Sequence, residues 1–444
     1  MINTRFTAKS SILKRIFQVL NRNEKITLSI ALVIFTFAIF GKVNNFIKYR
    51  NVSIEPVKGG ELIEGIVATS AAQVDASIIN LTNIGLLRFD IDGKIVDNAA
   101  QSYDISNDGK IYTFTLKDGI DPQAVISILK EPASDLGTAE IEADNNKIII
   151  KLASPYAPML ANSTRPILPY GPYQVKKRSQ QEIILTSNSS FIYGEPMIST
   201  IVIKIYSNQD KLINAVKRKE AMAAYNISGN YSGFNIYDLQ LQKRITLFFN
   251  LDRSPWNDIN LRRKLVNNEP LNEQKTLTIT TANDEQLIAK INELKSKYQS
   301  SNINVDSIVV DNKELKENII PKRSYDALLY GIDYGRDPDP YPFWHSSQIN
   351  EKGNNLSNFK NKEVDMLLEQ ALIAVKKEDR DKKYTTFQTI FNKEIPAILF
   401  DPITNPYILS DKIKNINIGY GIIDSDRYIN VWQWYIRTQK SVKK

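Results

Sequence analysis

Between residues 275 and 331 the chain switches twice between strand-like and helix-like hydrophobic spacing, and this limits the architecture more than any other stretch. Lys275–Thr281 (KTLTITT) reads as a strand. Asp284 can cap a helix that carries Leu287, Ile288, Ile291 and Leu294 at helical spacing. Ile303–Val310 reads as the next strand, a short helix around Asn312–Ile319 follows, and Asp326–Gly331 is a third strand. The β–α–β–α–β order predicts parallel strands joined by right-handed crossovers. Open parallel sheets bind ligands beyond the carboxyl ends of their strands, so the segment after residue 331 is the first place to look for function.

A chain of 444 residues is too long for one compact core, and two or three lobes are expected. The rest of the sequence supports a mixed α/β class. Glu61–Ala68, Lys110–Leu116, Lys147–Leu152, Tyr173–Lys177, Glu182–Thr186, Thr200–Tyr206 and Ala397–Phe400 read as strands. Asp210–Lys219, Glu363–Val375 and Asp379–Phe391 carry apolar residues at helical spacing, and Pro122 can open a helix through Lys130. Residues 153–172, rich in Pro, Ser and Tyr, read as a long loop. Trp256, Trp432 and Trp434 are expected to pack in cores.

Residues 26–40 (ITLSIALVIFTFAIF) carry no charge, and with Gly41 and Val43 the run approaches the length of about 17 residues that spans a bilayer. Six cationic residues precede it and three follow closely, which predicts a cytoplasmic N-terminus and an extracytoplasmic remainder. The competing reading is a cleaved signal peptide, but the exit FAIFGKVNNF lacks a small-x-small cleavage pattern. Residues 1–50 hold nine Lys or Arg and one acid, so the formal charge of +8 resides there and residues 51–444 are formally neutral. A nucleic-acid surface would need a basic excess in the folded part, so no nucleic-acid partner is expected. The absence of cysteine excludes disulfides, Cys-ligated metal sites and a lipid-bearing Cys.

The segment leaving the third parallel strand reads Ile332-Asp333-Tyr334-Gly335-Arg336-Asp337-Pro338-Asp339-Pro340-Tyr341-Pro342-Phe343-Trp344-His345, and His345 is the only histidine. Three prolines stiffen it. Fixed carboxylates beside aromatic surface suit a small cationic or zwitterionic ligand, since a carboxylate in a partly dry cleft pairs strongly with ammonium. The alternative is a structural turn whose aspartates cap backbone amides. The three aspartates do not match calcium-loop spacing, and one His without Cys argues against a dedicated transition-metal cage. Nothing in the spacing fixes a catalytic pair, and no enzyme activity or cofactor is expected.

Taken in order, several segments resemble the family-5 extracellular solute-binding proteins, the peptide- and nickel-binding group. They are GGELIEGIVATS (59–70), NIGLLRFDIDGKIVDNAAQSYDISNDGKIYTFTLKDGI (83–120), YGPYQV (170–175), FFNLDRSPWNDINLRRKL (248–265), YDALLYGIDYGRDPDPYPFWHSS (325–347) and NNLSNFKNKEVDMLLEQA (354–371). The resemblance implies a two-lobed, periplasmic-binding-protein-like α/β fold of type II with an extra small domain. That domain looks reduced here, because the segments at 120–123 and 265–275 are short. The expected layout is a cytoplasmic tail (1–25), a transmembrane anchor (26–43), a tether (44–58), lobe 1 with the small domain at about 85–150 (59–247), lobe 2 (248–400), a return to lobe 1 (401–436) and a tail (437–444). The implied function is capture of short peptides for an ABC permease, with the lipid bilayer holding the anchor. In peptide-binding members an aspartate after the last strand of the second lobe pairs with the peptide's α-amino group, and Asp333 occupies that place. Tyr334, Trp344 and His345 are expected lining residues. A nickel- or haem-binding member using His345, and a scaffold protein without transport function, are the alternatives.

Overall fold

The computed structural model describes residues 20–50, 52–131 and 139–442. The chain forms two compact units, residues 1–57 with 437–444, and residues 58–436.

In the first unit, a helix spans Arg22–Arg50. Its start is fixed by a reciprocal cap: Glu24 N–H donates to Asn21 Oδ1, and Asn21 N–H donates to Glu24 Oε2. The hydroxyls of Thr27 and Thr36 donate to carbonyls of the preceding turn, so the apolar run contains its own polar groups. Its large apolar side chains, Phe35 and Phe37 among them, are exposed. The helix is long and apolar enough to cross a bilayer, a property that an anchor and a signal sequence share. Residues 1–19 of the expected tail lie outside the described residues. The expected tether and C-terminal tail differ from the reading above: Val52–Val57 pairs antiparallel with Arg437–Val442 in a two-stranded ribbon. Each segment is short and half polar, and its partner is hundreds of residues distant, so neither looks like a strand on its own.

The second unit is built on one sheet of 11 strands. At one end Lys275–Ala282 pairs in parallel with both Ile303–Val310 and Ala327–Asp333, as the sequence pattern predicts. Asp284 caps helix Glu285–Tyr298, which turns Leu287, Ile291, Leu294 and Tyr298 inward. At the other end Glu61–Val67 pairs in parallel with Thr200–Tyr206, and Glu182–Ser187 and Tyr173–Arg178 extend the sheet antiparallel. Two long antiparallel strands, Phe234–Phe249 and Ala397–Ser410, join the ends. Their register breaks between Gln240 and Arg244 and again between Arg244 and Thr246, with Pro402 opposite Arg244. The first long strand and most of the second are absent from the sequence reading. Pro402 and Pro406 argue against a strand there, yet Pro402 falls at the register break, where a ladder N–H is not needed.

Hydrophobic clusters lie on either side of this junction. One gathers residues from Leu247 to Ala397 and forms the core of the second lobe. The other gathers residues from strand 61–67, helix Ala71–Thr82, strands 182–187 and 200–206, and the return segment through Trp434, and forms the core of the first lobe. A four-stranded antiparallel sheet (order 100–105, 111–116, 147–151, 140–144) with helix Pro122–Leu129 packs around a third cluster. Trp256 and Trp434 are fully buried, while Trp432 stacks on Tyr193 with ring centres 5.2 Å apart.

Helix Lys377–Glu394 ends at Ile395, a β-branched residue at φ 50°. This left-handed conformation is strained for such a side chain and persists only if its surroundings enforce it. Arg262 does so. Its buried guanidinium donates to the carbonyls of Ile395 (2.9 Å), Trp256 (2.7 Å) and Glu394 (2.9 Å). Arg262→Ala leaves three buried carbonyls without a donor and is expected to lower stability by about 3 kcal/mol or more, measured by urea unfolding.

Candidate functional site

A cavity of about 830 Å³ lies between the lobes. Strand 61–67 and the helix after it supply one wall through Ile66–Thr69, Gln73 and Ser77, joined by Arg165, Tyr225 and Asp424. The second lobe contributes Lys243 and Arg336. The carboxyl ends of parallel strands from both lobes thus converge on one space, as the sheet rule requires. The volume falls in the usual range of roughly 300–1,000 Å³ for small-molecule sites.

The first-lobe wall rests on a buried polar network. Glu64 and Arg427 are both fully buried and pair at 2.9 Å. The Tyr407 hydroxyl donates to the other Glu64 oxygen at 2.6 Å. Arg427 also donates to Ser77 Oγ (3.1 Å), the Tyr428 hydroxyl (2.7 Å) and the Asp424 main-chain carbonyl (2.7 Å). Asn405 donates to the Tyr225 hydroxyl, which donates to Asp424 Oδ1, both at 2.8 Å. Burial pulls the Arg427 pKa down, but Glu64 and the neighbouring tyrosines outweigh it, and the net shift is upward. Burial raises the Tyr407 and Tyr428 hydroxyls well above their ordinary value. The network therefore keeps its charges and protons fixed while presenting Ser77, Tyr225 and Asp424 to the cavity.

The structure distributes the four expected site residues unevenly. Asp333 ends strand 327–333, opposite Lys243 of the neighbouring strand, and it is Lys243 that lines the cavity. Its Oδ1 accepts from the Gly335 N–H at 2.9 Å and its Oδ2 lies 3.3 Å from Lys243 Nζ, leaving a side chain that is half exposed. Tyr334 and Trp344 line a different cavity of about 620 Å³, set against helix 377–394. Trp344 is buried, stacked on Phe248 at 5.6 Å and edge-on to Phe391 at 4.6 Å. His345 stacks on Tyr341, its Nδ1 is 2.7 Å from Ser347 Oγ, and its Nε2 is 3.3 Å from Glu369 Oε1. None of the four lines the interlobe cavity; Asp333 is linked to it through its ion pair with Lys243, which does line it.

The rest of the loop is stapled down. Asp337 pairs with Arg380 at 2.8 Å. Asp339 accepts from the Tyr341 N–H and the Tyr384 hydroxyl, both at 3.0 Å. Burial raises the Asp339 carboxyl above the usual range. Arg336, by contrast, crosses to the first lobe, where its Nη1 donates to Thr164 Oγ1 at 3.0 Å. Burial draws its pKa down, with Asp426 acting in the opposite sense. Among the described residues, no group of three or more His, Cys, Asp or Glu side chains is placed to hold a metal ion.

Solved structures share this fold. The ABC transporter substrate-binding protein CtaP of Listeria monocytogenes superposes with a TM-score of 0.72 at 18% identity, over 85% of this chain and 99% of that one. The chain has the fold of the family-5 extracellular solute-binding proteins. NikZ of Campylobacter jejuni, solved with Ni(L-His), gives 0.64 at 19% identity over 84% and 99%. The oligopeptide-binding protein AppA of Bacillus subtilis, solved with a nonapeptide, gives 0.61 at 16% over 86% and 100%. No family model matches the sequence, and no curated protein matches it. In this solute-binding fold the cavity described above occupies the space between the lobes.

Two outcomes test the site's energetics. Arg427→Met strands Glu64 as a buried charge and is expected to cost about 3–5 kcal/mol, measured by urea unfolding. Asp339→Asn keeps an acceptor for Tyr341 and Tyr384 but removes a charge that burial disfavours. Because burial raises the folded-state pKa of Asp339, wild-type stability from this group is present at low pH and lost as pH rises through that pKa. The variant should therefore unfold at a higher temperature than wild type at pH 7, with the gain vanishing below the ordinary carboxylate range.

Proposed function

We propose that this chain captures short peptides outside the cytoplasm and delivers them to an ABC permease, held at the membrane by helix 22–50. The observation that carries this reading is the interlobe cavity, which is lined by charges of both signs: Arg165, Lys243, Arg336 and Asp424. A zwitterion needs both signs in one space. Lys243 and Arg336 suit its carboxylate, and Asp424 suits its ammonium group. The nonapeptide complex of AppA supports a peptide-sized ligand on this fold.

Capture requires the lobes to part and close. Hydrogen bonds that bridge them include Arg336 to Thr164, and the Ala157 N–H to the Leu372 carbonyl at 2.8 Å. The register breaks in the two long strands are the natural hinge, and a bound solute that touches both lobes favours the closed form. A nickel or haem reading through His345 is less well supported, because both of its ring nitrogens face partners within the second lobe.

Calorimetric titration of the chain with a mixed pool of di- to pentapeptides tests the reading, with nickel and haem as parallel arms. Heat from the peptide pool alone is the expected result. Metal or haem binding without peptide binding, or no binding at all, sinks it. Arg336→Ala should enlarge the radius of gyration of the unliganded chain in small-angle scattering and weaken peptide binding, because it removes a contact that exists only when the lobes are closed.

A further inference from the structure

The two walls of the cleft are not electrostatically alike. On the second-lobe wall, Lys243 and Arg336 reach the cavity. The carboxylate beside them, Asp333, is already engaged by Lys243 and by the Gly335 N–H. An ammonium group arriving there must displace Lys243 and settle next to two cations.

The first-lobe wall also bears a cation, Arg165, but its carboxylate is not engaged by one. Asp424 is half buried and lines the cavity. Its Oδ1 is oriented by the Tyr225 hydroxyl, which Asn405 holds in turn, and its main-chain carbonyl is fixed by Arg427. Among the described residues its Oδ2 has no hydrogen-bond donor, and no Lys, Arg or His forms an ion pair with the group. An ionised carboxylate accepts about four hydrogen bonds, so this one has unused capacity in a partly dry space. The geometry around it is rigid, because it is built on a fully buried ion pair. A preorganised carboxylate of this kind binds a cation without first giving up another.

We infer that Asp424 receives the primary ammonium group of the bound solute. The ligand then lies with its cationic end on the first lobe and its anionic end toward Lys243 and Arg336. This inference rests on the capture reading and assigns the ligand's direction within it. The direction is the reverse of the one implied by an anchor at Asp333. In this arrangement Asp333 and Lys243 act as a pair that shapes the second wall. The solute class is narrowed to molecules carrying a free primary amine at one end and a carboxylate at the other.

The test compares free and N-acetylated di- to pentapeptide pools by native mass spectrometry of the full-length chain in detergent. Wild type should retain free-amine peptides over acetylated ones by roughly tenfold or more, the scale of a hydrogen bond to a charged group. Asp424→Asn, which keeps the size and the acceptor for Tyr225, should bring that ratio close to one. Asp333→Asn should weaken binding while keeping the preference. Tyr225→Phe, which loosens Asp424 without touching its charge, should give an intermediate ratio and guards against misfolding of the first variant. A preference that survives in Asp424→Asn and collapses in Asp333→Asn overturns the inference but leaves peptide capture intact. A wild-type chain that binds no peptide from either pool overturns both.

Discussion

The pairing of two long strands, 234–249 with 397–410, holds the second unit together. Each lobe has its own hydrophobic core, and these strands are the elements common to both. The second lobe's parallel strands attach to one side of the pair through strand 327–333, and the first lobe's attach to the other through Ala223–Tyr225. The pairing therefore does more than connect. It sets where the carboxyl ends of both parallel systems point, and so where the cleft forms. The register breaks around Arg244 put the softest part of the ladder between the two cores, the place where bending disrupts the least buried surface.

The cleft itself depends on an arrangement that stability alone does not favour. A fully buried Glu–Arg pair gains less than well-packed hydrophobic residues of the same volume in many proteins, because both charges lose their water. Here Glu64 and Arg427 recover part of that loss through Tyr407, Tyr428 and Ser77. The return is positional. Residues that are separate in sequence, at 64, 77, 225 and 424, are locked into one wall. A hydrophobic plug at the same place would pack, but it could not orient a carboxylate toward the ligand space.

Much of the architecture can be read directly from the amino-acid order, and the reasons it stops short are physical. The parallel segment from 275 to 331 is legible because its rhythm is local: Asp284 caps, Leu287 to Leu294 repeat at helical spacing, and the strands on either side are rich in Thr, Ile and Val. The long joining strands were not, because their pattern mixes polar positions with prolines tolerated only by the register break. The loop at 333–345 drew attention by composition, but composition does not say which way a side chain turns. Asp333 turns to Lys243, Arg336 crosses the cleft, and Trp344 and His345 turn into the second lobe. Asp424 and its supports were invisible for another reason: Tyr225, Asn405 and Arg427 come together only after folding. The faint signs were Glu64 in the apolar middle of strand ELIEGIV and the close acidic and basic residues of DSDR.

The ribbon formed by residues 52–57 and 437–442 bears on the order of events during synthesis. A translated chain emerges from its N-terminal end and folds roughly in that order. Strand 52–57 is made early, yet its partner arrives only after the whole binding unit has been produced. Until then its backbone amides and carbonyls face solvent along both edges, open to pairing with any stray strand. Closure of the ribbon is thus a late event, because it requires a chain translated through residue 442.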